Sequence, residues 1–194
     1  MKKTLLKRSI FSLATTLFLV GAVNAAEYKI DTKGAHAFIN FKIQHLGYSW
    51  LTGRFNEFEG SFSYDADKPN DSKITVEINP ASIDSNHAER DKHLRSDDFL
   101  DVDKFGKAKF VSTKITDKGN GKLEVVGDLT LHGVTKSITI DAKKIGEGKD
   151  PWGGYRAGFS GKTTLGLKDF GIPERLGPAS TEVHMSLHIE GIRQ

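Results

Sequence analysis

The sequence predicts an all-β protein: an antiparallel barrel or sandwich of about eight strands with one charged connection at residues 84–103. Three observations carry this. Apolar and polar residues alternate with period two along several stretches, the mark of strands with one buried and one wet face. Gly- and Asn-bearing turns separate those stretches, and these residues tolerate the positive φ of tight hairpins. No helical stretches are interleaved between the strands, and long antiparallel strands avoid sticky edges by closing or by doubling into two sheets.

Taken in order, the first 25 residues stand apart. Lys2, Lys3, Lys7 and Arg8 precede the apolar run Ile10 to Val23, and Val23-Asn24-Ala25 places small or apolar residues at −3 and −1 of a cleavage site. This is the layout of a secretory signal peptide cut after Ala25, with an apolar run shorter than the ~20 residues of a spanning helix. Residues 26–194 then form one domain. Ala37, Ile39, Phe41 and Ile43 alternate with Asn40, Lys42 and Gln44 in a strand at 36–45. A second strand is expected at 53–64. Ile74, Val76 and Ile78 alternate with Thr75, Glu77 and Asn79.

The 84–103 segment breaks the rhythm, with Leu94, Phe99, Leu100 and Val102 as its only large apolar groups. Ser85 or Asn86 can cap a short helix with Glu89 in its first turn, and Ser96 a second. Strands resume at 108–117 and at 122–131, which spans ~33 Å if straight at ~3.3 Å per residue. Another follows at 137–142, where Ile138, Ile140 and Ala142 share a face, then 155–168. In the last, Val183, Met185, Leu187 and Ile189 oppose His184, Ser186, His188 and Glu190. Turns are expected at Lys118-Gly119-Asn120-Gly121, His132-Gly133-Val134 and Gly146-Glu147-Gly148.

Composition excludes several function classes. The whole chain carries 28 Lys and Arg against 25 Asp and Glu. Without the four cations of residues 1–25, 24 stand against 25, so a formal +3 becomes −1 and a basic nucleic-acid surface loses its support. Cysteine is absent, which excludes disulfides, thiol catalysis, Cys-based metal sites and an N-terminal lipidated cysteine. An exported chain of this kind suits a bacterial periplasm. No second stretch of membrane length follows, so no integral membrane protein is expected.

Chemistry-bearing motifs are few. Gly158-Phe159-Ser160-Gly161 lacks the nucleophile elbow and sits in an expected strand. No phosphate-cradling loop or dinucleotide fingerprint occurs, so neither a cofactor nor a catalytic residue is assigned. His184 and His188 lie ~13 Å apart if on one strand face, too far to share a metal ion. His87, Glu89, Arg90, Asp91 and His93 are denser, but Arg90, Lys92 and Arg95 disfavour a cation among them. A salt-bridge network that orders the connection, a polar recognition site and an acid–base site all remain open for this cluster. Eight aromatic residues crowd positions 38–64. A barrel of about eight strands either fills its interior with such side chains or encloses a ligand.

HAFINFKIQHLGYSWLTGRFNEFEG at 36–60 and DSNHAERDKHLRSDDFLD at 84–101, followed by GDLTLHGVTKSITI at 127–140 and DPWGGYRAGF at 150–159, resemble the YceI-like family. The similarity keeps the family's order along essentially the whole chain after residue 25. The resemblance implies a lipocalin-like antiparallel β-barrel, a periplasmic location, and a long isoprenoid lipid of quinone or polyprenyl type held inside without catalysis; dimers also occur in the family. On that reading the apolar lining comprises Ile39, Phe41, Ile43, Phe58, Phe62, Ile78, Phe110, Leu129, Leu131, Ile138, Phe159 and Met185. His87, Arg90, Asp91 and His93 are the candidates for the lipid head group. One departure stands out: Phe105-Gly106 occupies a place where the family commonly shows an aromatic residue followed by proline. An enzyme acting on such a lipid through His87–His93, and an interaction module with a filled barrel, are the alternatives.

Overall fold

The computed structural model describes residues 25–194, so the expected signal peptide lies outside the described residues except for Ala25. Eleven strand segments form one antiparallel sheet that closes on itself: β1 (Ala26–Ile30), β2 (Phe38–His45), β3 (Ser49–Phe55), β4 (Phe58–Tyr64), β5 (Lys73–Ile78), β6 (Ile83–Asp84), β7 (Ala108–Gly119), β8 (Lys122–Leu131), β9 (Val134–Lys149), β10 (Tyr155–Gly166) and β11 (Glu182–Arg193). The ring runs β1-β4-β5-β7-β8-β9-β10-β11 and closes through β1–β11, an eight-stranded barrel. β2 also pairs with β11, beyond the stretch that holds β1, and β3 and β6 extend the pairing of β4 and β5 upward.

The alternation seen in the sequence becomes the two faces of this wall. Directly paired residues share a face, so Phe41↔Met185, Phe110↔Leu129 and Gly127↔Ile138 all point inward. Two buried clusters line opposite sides of the interior. One joins Tyr28, Ile30, Ile39, Phe62 and Ala157; the other joins Phe110, Leu123, Val125, Leu129, Leu165 and Phe170. The outward positions on β9 are Ser137, Thr139, Asp141 and Lys143, unlike the apolar outer band of a membrane barrel. No helix among the described residues is long and apolar enough to cross a membrane.

The two tightest hairpins fall at Asn120-Gly121 and His132-Gly133. Both residues of each loop have positive φ, from 50° to 73°, as two-residue turns between right-twisted strands require. Three local expectations differ from the structure. Gly146-Glu147-Gly148 is not a turn but part of β9, where the register against β10 shifts beside Gly158/Phe159. A bulge absorbs the extra residue there, and the chain turns at 150–154 instead. The 53–64 strand is broken at residues 56–57, and Ala26–Ile30 adds a strand that its short alternation did not reveal.

The charged connection folds into one helix, α1 (Ala88–Arg95). Its cap is His87, not Ser85 or Asn86: the His87 ring accepts the Arg90 backbone N–H at 3.2 Å through Nδ1. Asn86 is held at φ 62°, which delays the helix by one residue. Ser96 closes α1 rather than opening a second helix, its backbone N–H donating to the His93 carbonyl. Across the same end of the barrel, residues 167–181 form a strap between β10 and β11 that carries two short 3-10 turns, Leu167–Phe170 and Pro178–Ser180. Ser180, 1% exposed, ties it down by donating to the Gln44 carbonyl at 2.6 Å.

Candidate ligand-binding site

The barrel is not filled. Its interior holds an upper chamber of about 500 Å³ beneath α1 and the strap, and a lower chamber of about 160 Å³ walled by β4, β5, β7–β11 and Ile39. Ile39, Ile78, Leu129, Leu165 and Met185 line both chambers, so they form the neck at which the two chambers adjoin. The lower chamber's polar neighbours are only hydroxyls, the Lys73 segment and backbone. Such a space offers water few partners and suits an apolar guest.

The structure brings most of the expected lining together. Ile39, Ile78, Leu129 and Met185 stand at the neck; Phe62, Phe110, Ile138 and Phe159 face the lower chamber; Phe41, Ile43 and Leu131 face the upper one. Phe58 lines neither chamber. It sits opposite Ile78 at the start of β4 and packs against the cluster of Tyr28, Ile30 and Ile39. The aromatic crowding has a structural use as well. Phe159 meets Phe62 and Tyr64 edge-on at 5.5 and 5.1 Å, and Phe62 stacks on Tyr28 at 4.9 Å. Phe110 lies over Gly127, where a Cβ would also come within 2.5 Å of the Val111 carbonyl.

The four polar candidates divide. His87, Arg90 and His93 line the upper chamber, while Asp91 does not. Asp91 is buried and accepts the Ser85 backbone N–H at 2.8 Å and the Ser85 hydroxyl. Arg90 donates to the Ser85 hydroxyl at 2.7 Å and to its carbonyl at 2.6 Å. His93 is paired with Asp98 at 3.0 Å and set edge-on to Phe99, and Asp98 also receives Arg175 at 2.9 Å. Thus Asp91 belongs to the network that anchors the connection, and the other three face the cavity while already engaged.

The strap was missed at the sequence level. Leu167, Phe170, Ile172, Pro173 and Leu176 roof the upper chamber, but a single short 3-10 turn at Leu167–Phe170 followed by coil leaves no sustained helical or strand period. Their density between two strands was the available signal. A second unforeseen cluster lies on the outer wall, where the Arg156 guanidinium reaches Asp31 at 2.7 Å, Asp150 at 2.9 Å and Glu190 at 2.6 Å. Asp31 also pairs with His36 at 2.9 Å. The hydrogen bonds from His36 and Arg156 hold the Asp31 carboxyl down at about 2. Asp31, His36 and Glu190 have metal-ligand spacing, but Arg156 already donates to both carboxylates. Its charge disfavours a cation there, and the cluster pins the β1–β2 break to β10 and β11. His184 and His188 lie on the outer face, bonded to Thr164 and Ser186.

Comparison with known proteins agrees with this architecture. A UPF0312 protein of Shewanella denitrificans is 63% identical over 182 residues, covering 94% of this chain and 95% of that one. The crystal structure of a Campylobacter jejuni YCEI protein superposes with a TM-score of 0.69 at 27% identity, covering 78% of this chain and 90% of that one. A polyisoprenoid binding domain from Saccharophagus degradans has a TM-score of 0.65 at 16% identity, covering 88% and 99%, which speaks to the fold alone. The YceI-like domain model matches residues 28–191. The chain therefore belongs to the YceI-like family.

Proposed function

We propose that this protein is a non-catalytic carrier or sequestering protein for an isoprenoid lipid of quinone or polyprenyl type, acting in the periplasm after export. The observation that carries the reading is the hollow apolar interior, whose two chambers adjoin at a neck of five side chains. A methyl-branched tail in that space removes several hundred Å² from water, on the order of 10 kcal/mol before the cost of association. Branched and aromatic walls suit such a chain. The fold likeness to a protein described as a polyisoprenoid binding domain supports the same ligand class. The cavity argues against a filled barrel. The helix-capping contact of His87 and the hydrogen bond between His93 and Asp98 give both histidines structural employment, so an acid–base reading gains no support from their geometry.

Native mass spectrometry of protein exported to the periplasm, repeated after organic extraction, tests the proposal. A stoichiometric adduct that extracts as lipids spaced by isoprene units is the expected result. Protein that is recovered empty and also refuses added isoprenoid alcohols would overturn it.

A further inference from the structure

The β2–β3 hairpin projects past the start of β11. Ile43 is the last β2 residue paired with β11, opposite Val183, while β2 and β3 run on together to His45↔Ser49. In the turn beyond, Leu46 and Gly47 have φ of 53° and 81°, and the Tyr48 N–H donates to the His45 carbonyl at 2.9 Å. Gly and Asn are the residues that take up such a conformation with little strain. Leu46 is the one large aliphatic residue with positive φ among the described residues, and its side chain is 48% exposed. Neither the turn nor burial accounts for a leucine at this position. Ser180 holds the strained turn in place: its hydroxyl donates to the Gln44 carbonyl at 2.6 Å and accepts the Leu46 N–H at 3.4 Å.

Leu46 does not stand alone. Tyr48 is 87% exposed and Trp50 47%. Trp50 pairs with Gln44 on the outer face of the hairpin, where Lys42 Nζ lies 4.4 Å from its ring centroid and His184 meets it edge-on at 5.4 Å. Between Asp31 and Glu57 the chain has Lys33, Lys42 and Arg54 and no acidic residue. The acids of this end stand on the side of α1 and the strap: Glu89 at the chamber wall, Glu174 on the strap, and Asp98, which Arg175 engages at 2.9 Å. The hairpin also belongs to the cavity, since Ile43, His45 and Leu51 line the upper chamber.

We propose that this hairpin tip docks the protein on the surface of an anionic phospholipid bilayer, with Leu46, Tyr48 and Trp50 entering the headgroup region and Lys42 meeting the lipid phosphates. Docking sets the wall of the upper chamber against the bilayer in which an isoprenoid lipid dissolves. The inference rests on the isoprenoid-carrier reading and adds where that carrier meets the membrane. Tyr and Trp join an apolar body to a polar tip, which suits the boundary between acyl chains and water. Three side chains on a projecting turn are too few for a stable protein interface. With a neighbouring cation they suffice for a reversible anchor. Trp152, also exposed, lies beyond the other end of β10 with the Arg156 guanidinium 5.7 Å over its ring, so it serves as a control.

Co-flotation of the exported protein with vesicles tests the proposal, using phosphatidylcholine and phosphatidylglycerol in equal parts against phosphatidylcholine alone. The wild type is expected to favour the anionic vesicles by about fivefold or more. A Leu46→Asn/Tyr48→Ser variant, whose asparagine suits the positive φ, is expected to keep its melting temperature and isoprenoid affinity. It should lose vesicle affinity by about tenfold or more and take up a fluorescent isoprenoid from vesicles correspondingly more slowly. The chain has two tryptophans, so a Trp152→Phe protein reports Trp50 alone, and brominated phospholipids are expected to quench it. The Trp50→Phe protein, reporting Trp152, is expected to stay unquenched. A wild type that ignores both vesicles or binds them equally, a variant that binds as well as the wild type, or the reverse quenching pattern overturns the assignment. So does loss of self-association in the variant at unchanged vesicle binding, which would make the tip a contact between copies. Vesicle binding is read without isoprenoid, so a protein that docks but refuses isoprenoids sinks the carrier reading in a separate measurement.

Discussion

Met185 sits where the cavity narrows, on β11 between Phe41 of β2 and Thr163 of β10. Its unbranched side chain fills the neck without fixing it. In a Met185→Trp variant, the larger indole should close the passage and isolate the lower chamber of about 160 Å³. A dry cavity of ~150 Å³ holds a six-carbon ring, so the lower chamber accommodates about one five-carbon isoprene unit. By the same measure, the upper chamber of about 500 Å³ takes roughly three. Farnesol, with three units, then ends in the upper chamber, while geranylgeraniol reaches the lower one. Five buried carbons at ~0.8 kcal/mol each amount to ~4 kcal/mol, about a thousandfold in affinity. The wild type should therefore gain up to that factor from farnesol to geranylgeraniol, measured by displacement of a fluorescent isoprenoid. The variant should gain nothing. Unchanged farnesol affinity and an unchanged melting temperature serve as controls for the fold. If Met185→Trp retains the gain in a folded protein, the neck has been misplaced and the reasoning is wrong.

Other expectations follow from the same contacts. Asp91→Ala leaves the buried Ser85 N–H and hydroxyl without their acceptor, at about 1–3 kcal/mol; hydrogen exchange should rise across 84–95 and lipid release should quicken. Arg156→Met strands the Asp31, Asp150 and Glu190 carboxylates around one half-buried position, for a loss of about 2–3 kcal/mol and a fall in melting temperature of roughly 5–10 °C. Asp31 is depressed from 3.8 to about 2 in the folded state. Its contribution, on the order of 2 kcal/mol, is complete above pH 4 or so and is lost as pH falls toward 2. Acid unfolding followed by circular dichroism should show an Asp31→Asn variant with a shallower pH dependence over that window. In Gly127→Ala, the new methyl meets the Phe110 ring and the Val111 carbonyl, and overpacking costs about 1–3 kcal/mol, which thermal unfolding would register.

Much of the fold was legible because a barrel wall writes a simple code. Each strand has one wet and one dry side, and successive residues alternate between them. That code located the strands holding Ile39, Phe110, Leu129, Ile138 and Met185, and with them most of the cavity wall. It was weakest where backbone geometry departed from regularity. Gly146 and Gly148 suggested a turn, yet the ladder to β10 continues past them through a bulge. Phe58 carried the right hydrophobicity but fell outside both chambers.

The sequence by itself determined the fold class, the family, the absence of thiol chemistry and the apolar character of the interior, because these depend on residue type and local period. Only the tertiary structure decided that the interior is hollow and divided at a neck, that the 167–181 strap roofs it, and that Asp91 turns from the chambers to Ser85. Cavity volume is a residue of packing among distant strands, and no local period encodes it.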